Sequence, residues 1–329
     1  MPRMGKLTIL SILALALGSL AALTGCGGQS QAFPNKSIEF VVHTDPGDAV
    51  YIFADNASRI LTSQKIVSQQ MNVVTKSGGS SAAAYSYVNG KKGDPYFLLS
   101  SQPSAVTTPI NQGLDITWKN FTPIASLMAD ENVVAVKADS PYKSIKDLVA
   151  KAKEAPKKVN VGGATFGAAD SIVLHLLGKA GGCEFNYVAF KSAGESVVAL
   201  LGGNVDAISC NPSEVVGQVQ AGTTRVLAVA SEKRSPFLPD VPTMKEEGLN
   251  FTFNSFRGVM APGGITEDVV KFWDDAFAKL KDQQAWKDAL KTNNNVEFYK
   301  NSKDFKTYLE EQEAFYRTTL DEMGLLKKK

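Results

Sequence analysis

The chain has 329 residues, enough for two lobes of ordinary domain size, and a hydrophobic share of 44% can fill a proper core. Its 35 Lys and Arg nearly balance 33 Asp and Glu, so no polyanion-binding field or basic stripe marks a nucleic-acid partner. Two histidines, His43 and His175, and three cysteines offer no metal-binding spacing, and no Gly-x-Ser-x-Gly elbow marks a hydrolase nucleophile.

Residues 1–25 read as an export signal. Arg3 and Lys6 precede an uncharged apolar stretch from Leu7 to Leu20, too short for a spanning helix. It ends Leu23-Thr24-Gly25-Cys26, which resembles the lipobox of bacterial lipoproteins, with Cys26 as the lipidated residue. Residues 26–32 form a flexible Gly/Gln/Ser tether. The alternatives are an ordinary signal peptide or a single membrane anchor. With Cys26 lipidated, Cys183 and Cys210 remain, and their places at opposite ends of predicted strands argue against a disulfide.

Beyond residue 33, short apolar runs alternate with amphipathic stretches, the pattern of βαβ units. Strands are predicted at 38–42, 72–75 and 96–100, with helices at 51–61 and 82–88 between them. A second series has strands at 133–137, 159–162, 185–190, 207–210 and 226–230. Helices intervene from the capping box at Ser144 and Asp147, at 171–177, at 196–201 and at 215–220. A strand-like segment at 251–260 and two long helices, 267–292 and 302–323, close the chain. The expected class is α/β with mainly parallel sheets.

Several segments carry a family likeness: Pro34-Asn35-Lys36-Ser37-Ile38, Phe121-Thr122-Pro123-Ile124-Ala125, Val188-Ala189-Phe190-Lys191 and Leu200-Leu201-Gly202-Gly203-Asn204-Val205-Asp206. Arg234 followed by Pro239-Asp240-Val241-Pro242-Thr243, then Ala261-Pro262-Gly263-Gly264, is the most specific. In this order the chain resembles the tripartite tricarboxylate transporter receptor (Bug) family of extracytoplasmic solute-binding proteins. The resemblance implies a two-lobed, periplasmic-binding-protein (type II, Venus-flytrap) fold, with residues 33–130 plus 252–329 in lobe 1 and 131–251 in lobe 2. It implies no catalysis, and capture of a small organic acid for membrane permease subunits; no cofactor is expected, and a monomer is the default. Its address would be the outer face of the cytoplasmic membrane or the periplasm. A ligand-presenting sensor for a membrane histidine kinase is the alternative, and an exported hydrolase using His43 a remote one.

Two loops that leave strands and enter helices correspond to the family's ligand-gripping loops, where unsatisfied amides favour an anion. One is Thr44-Asp45-Pro46-Gly47-Asp48-Ala49, with His43 a further candidate at the strand end before it, the other Gly162-Gly163-Ala164-Thr165-Phe166-Gly167-Ala168. The glycines permit close backbone approach to a ligand. The first loop departs from the family pattern: Tyr51 and Asp55 stand where an Asp and an Arg align, and Arg59 is a shifted substitute for the latter. Asp45 and Asp48 would repel a second carboxylate unless they cap helices or receive an amine or hydroxyl; Asp48 is either an N-cap or a ligand contact. Tyr51 is either an aromatic wall or a core residue. Ser101 and Gln102, Lys191 and Glu195, and Asn211 complete the loop candidates; Lys191 is a counter-charge or solvated, Glu195 a contact or a helix start. Arg257 either forks onto a carboxylate or braces the hinge.

Overall fold

The structure is a computed structural model and describes residues 33–326 except position 165. The signal, Cys26 and its tether lie outside these residues, as does Thr165.

The elements in chain order are β1 (Ile38–Val42), α1 (Ala49–Ser63), β2 (Met71–Thr75), α2 (Ala82–Asn89), β3 (Phe97–Ser101), α3 (Ser104–Gln112) and β4 (Phe121–Glu131). Then come β5 (Val133–Lys137), α4 (Ile145–Glu154), β6 (Asn160–Gly163), α5 (Ala169–Gly181), β7 (Asn186–Ala189), α6 (Ala193–Leu201), β8 (Ala207–Cys210), α7 (Pro212–Gln220) and β9 (Thr224–Val229). The chain closes with β10 (Asn254–Pro262), α8 (Glu267–Asp282), α9 (Gln284–Thr292), β11 (Val296–Lys300) and α10 (Ser302–Glu322). Among the described residues these strands form two sheets, β11-β4-β10-β3-β1-β2 and β7-β6-β8-β5-β9. The two-lobed α/β architecture expected from the sequence is present.

The sheets are mixed where the alternation predicts mainly parallel ones. β1 pairs in parallel with β2 and β3, and β6 with β7 and β8, as βαβ units require. The strands that carry the chain between sheets break the pattern: β10 runs antiparallel to β3 and β4, β5 antiparallel to β8 and β9. β4 passes through Asn132 directly into β5, so one extended stretch serves both sheets in opposite senses. The return runs from β9 to β10. Ala230 N donates to Asn132 O at 2.8 Å and Phe253 N to Ala230 O at 2.7 Å, so the two crossings lie side by side.

α1 shows why these residues form these elements. Asp48, in extended backbone, caps it by accepting from Val50 N at 2.8 Å, and Val50, Phe53, Ala54, Ala57, Ile60 and Leu61 put a buried stripe on its sheet side. At Ser144 the predicted capping box opens α4. The stretch 267–292 is two helices: Gln283 is extended and caps α9, so Trp286 turns inward to meet the Phe53 ring at 6.2 Å. No Gly or Pro marks that break. Trp273, Trp286, Tyr316, Phe40, Phe256, Phe277 and Phe305 are the largest fully buried side chains. Burying each is worth roughly 2–3 kcal/mol. Both thiols, Cys183 and Cys210, are free.

Candidate functional site: a cleft at three helix N-termini

α1 follows β1 of the first sheet, while α5 and α7 follow β6 and β8 of the second. Their first turns meet at one cavity of about 470 Å3, lined by Gly47 and Ala49 before and in α1, Ala169 in α5, and Asn211, Ser213 and Glu214 at α7. Ile52, Phe53, Met128, Trp286 and Leu290 give it an apolar wall, and Asn56, Asn293, Asn295 and Ser255 a polar one. First-turn amides have no acceptor within their own helix and sit at the positive end of its dipole. An adjoining cavity of about 610 Å3 shares Ala169 and Ser255 with the first; Gln102, Phe166, Gly167 and Ala168 line it together with Tyr316 and Leu325.

The charged residues lining the first cavity are Asp130, Glu214 and Arg257. Arg257 is 9% exposed; its Nη2 donates to Asp130 Oδ2 at 2.5 Å and its Nη1 to Gln102 Oε1 at 2.6 Å. Asn295 Nδ2 donates to the other oxygen of Asp130. With Gln102 Oε1 held by the guanidinium, its amide nitrogen donates to His43 Nε2 at 2.9 Å. That nitrogen must be unprotonated, and burial lowers the His43 pKa to about 4, with Arg257 helping and Asp48 opposing. His43 is thus a buried neutral support for the Gln102–Arg257 pair and is not free to take a serine proton.

On the second sheet, Asp170 joins the loop to the crossing. Its Oδ2 accepts from Ala164 N at 2.8 Å and its Oδ1 from Asn132 Nδ2 at 3.1 Å. Burial nevertheless pushes its pKa up to about 6. Glu214 closes the α7 capping box, accepting from Asn211 N at 2.8 Å, and its pKa is pushed up to about 7 by burial first, then by Asp170 and Asp130.

Of the candidates, Gly47, Ala49, Asn211 and Arg257 therefore line the first cavity and Gln102, Phe166, Gly167 and Ala168 the second. Others have a structural role. Asp45 accepts from Asp48 N at 3.1 Å through its carbonyl, and Thr44 from Thr75 Oγ1 in the same way. Pro46 is exposed, Tyr51 half-buried, and Ser101 2% exposed, and none of these three lines either cavity. Lys191 and Glu195 are exposed and bond each other's turn: Lys191 N donates to Glu195 Oε2 and Glu195 N to Ser192 Oγ, so Glu195 starts α6. Gly162 and Gly163 are buried in β6; a Cβ on Gly163 would sit 2.5 Å from Tyr187 Oη and 2.8 Å from Asp170 Cβ. That glycine makes room for neighbouring side chains rather than for a ligand. Ala164 O accepts from the same Tyr187 hydroxyl at 2.6 Å. Arg59 is exposed and donates to Asn56 Oδ1 at 2.7 Å, which brings it to the cavity's polar wall through that partner. His175 pairs with Glu322 at 2.9 Å.

Sequence reasoning missed Asp130, Asn56 and the whole contribution of α9 and its following turn. Asp130 lies next to the end of a strand whose Pro123 and nearly continuous burial hide its period, and the α9 residues come from a helix with no loop signal.

Residues 53–325 match the tripartite tricarboxylate transporter family receptor family. The chain is 29% identical to the UPF0065 protein in gbd 5'region of Cupriavidus necator, over 95% of this chain and 98% of that one. Among solved structures, a TctC solute binding protein from Polaromonas superposes with a TM-score of 0.81 at 27% identity, covering 88% of this chain and 99% of that one. MatC from Rhodopseudomonas palustris, solved with bound malate, shares the fold at a TM-score of 0.65 and 20% identity, over 88% and 100% of the two chains. The fold is thus that of two-domain periplasmic binding proteins. This chain belongs to the tripartite tricarboxylate transporter receptor family.

Proposed function

We propose that the chain is an extracytoplasmic receptor that captures a small carboxylate-bearing metabolite in the cleft between its sheets and delivers it to a tripartite tricarboxylate-type membrane permease. The observation that carries this reading is the convergence of the α1, α5 and α7 N-termini, from both sheets, on one cavity. With both terminal nitrogens of Arg257 occupied by Asp130 and Gln102, the carboxylate is held by first-turn amides and by Asn and Ser side chains. The malate bound by MatC is a ligand of this size and charge. Residues 33–130 plus 252–329 move as one lobe and 131–251 as the other, about the paired crossings at Asn132 and Ala230. Cys26 carries the lipid anchor, and the receptor acts as a monomer at the outer face of the cytoplasmic membrane or in the periplasm.

A thermal-shift screen of dicarboxylates, hydroxy acids, aromatic acids and amino acids tests the reading, since a ligand of the folded form raises the melting temperature. A concentration-dependent rise with an organic acid, abolished when Ala49 and Ala169 are both replaced by bulky residues, supports it. No rise with any acid, or a rise indifferent to those changes, speaks against it.

A further inference from the structure

Leu290 and Asn295 of the cleft also form part of the wall of another cavity, of about 590 Å3, that takes no part in the reading above. It lies against the crossing segments: Glu131 ends β4, Ser231 follows β9, and Asn254 opens β10. Strand alternation explains the division, since Asp130 faces the cleft and its neighbour Glu131 this cavity. Glu131 is only 2% exposed, and its Oε2 has no hydrogen-bond partner; nor has the buried Oδ1 of Asn254. Burial raises the Glu131 pKa against the pull of the Ser235 and Ser231 hydroxyls. Unmatched buried acceptors are costly, and two lining one cavity call for a donor.

The exposed part of the lining differs, with Lys233, Lys287 and Lys291 outnumbering Glu297, the exposed carboxylate there besides the paired Glu232. Phe237, Leu290 and Phe298 line an apolar stretch, and Lys233, Lys287 and Lys291 are exposed at the rim. Arg234 and Glu232, also on the rim, are already tied to Glu246 and Lys245. An ammonium group offers three donors and no acceptor, which suits the buried end. An anionic group suits the lysines.

We propose that this cavity is a second small-molecule site, for an amphoteric ligand whose ammonium group donates to Glu131 and Asn254. The apolar body of the ligand lies on Leu290, Phe237 and Phe298, and its carboxylate meets the lysine rim. A purely anionic ligand would place a carboxylate against Glu131 or leave both acceptors unmatched. A purely cationic one would leave the rim unanswered.

Isothermal titration with ω-aminohexanoate, its shorter and longer homologues ω-aminobutyrate and ω-aminooctanoate, and the half-ligands hexanoate and hexylamine tests the proposal. At least one amphoteric compound should bind more tightly than either half-ligand. Glu131→Gln should weaken that binding by about tenfold or more, the effect of losing a charge-assisted hydrogen bond. The rim variant Lys287→Ala/Lys291→Ala should weaken it as well. In the unaltered protein, the amide resonances of Ser231 and Asn254 should shift on titration while that of Asn211 stays in place. This mapping and the rim variant decide the matter if Glu131→Gln does not fold. The proposal is overturned if no amphoteric compound binds, if hexanoate binds as tightly with the same shifts at Ser231 and Asn254, or if the resonance shifts centre on Asn211.

Discussion

Arg257 and Asp130 pair diagonally across neighbouring antiparallel strands, Nη2 to Oδ2 at 2.5 Å, with side chains only 10% and 12% exposed. The pair sits where β4 and β10 approach the crossings, and Asp130 together with Gln102 engages both terminal nitrogens of the guanidinium. Gln102 and Asn295 add further hydrogen bonds to the pair, drawing the residue after β3 and the turn after α9 to the same point. Of the two roles open to Arg257 in the sequence, the brace is the one its partners favour.

Removing one member leaves the other charged and buried. Arg257→Met should therefore lower the unfolding free energy by about 3 kcal/mol in urea titration. Asp130→Leu/Arg257→Met together should restore much of that loss, because the desolvation cost disappears along with the attraction.

His43 gives a pH signature. Its pKa is about 6.5 unfolded but lowered to about 4 in the folded chain. Between those values the unfolded state binds the extra proton, so this contribution is intact above pH 6.5 and is lost as pH falls toward 4. The full difference is roughly 3 kcal/mol. Glu214 and Asp170, with pKa values raised to about 7 and about 6, act in the opposite sense, stabilising the fold as pH falls through those values. Comparing the pH–stability curve with that of His43→Gln isolates the histidine: the variant should lack the acid-side loss. In NMR titration the His43 ring should stay neutral down to about pH 4.

Glu214 should make capture of an anion pH-dependent. Above its pKa of about 7 it adds a negative charge to the cavity; below, it is neutral. Affinity for a carboxylate should rise as pH falls through 7, and Glu214→Gln should bind tighter on the alkaline side, by a factor on the order of ten, with the pH dependence flattened. Calorimetric titration across that range with the best acid from the thermal screen provides the check.

The glycines of the two loops should behave differently. Gly163→Ala pushes a methyl group into Tyr187 and Asp170, and should destabilise the protein by about 1–3 kcal/mol. Gly47→Ala meets nothing within 4 Å, but its φ of +96° is a left-handed conformation that alanine resists, at a cost of about 1 kcal/mol. Urea titration of both variants separates overpacking from backbone strain.

Much of the fold was legible because each sheet-and-helix unit carries its own period and its own caps. Asp48 and Ser144 announce helices whose starts the structure places beside them. The strands that join the sheets were less visible. β4 is buried nearly throughout and interrupted by Pro123, so neither alternation nor a turn signal marks it, and the antiparallel pairings followed from its path. At the site, strand–loop–helix junctions could be read from Gly47, Ala49 and Asn211, since chain order places each helix start at a sheet edge. The Asp130 partner of Arg257 could not, because their pairing depends on the register of two strands 127 residues apart. Nor could the break at Gln283, which swings Trp286 into the cavity wall without any local helix breaker.

The most direct test is a crystal structure of the protein with a carboxylate selected by thermal shift. The carboxylate should lie in the cavity between the sheets, within hydrogen-bond distance of first-turn amides of α1 and of α5 or α7. A ligand held by residues of one sheet alone, or seated outside the cavity where Ala49, Ala169 and Ser213 meet, would contradict that arrangement.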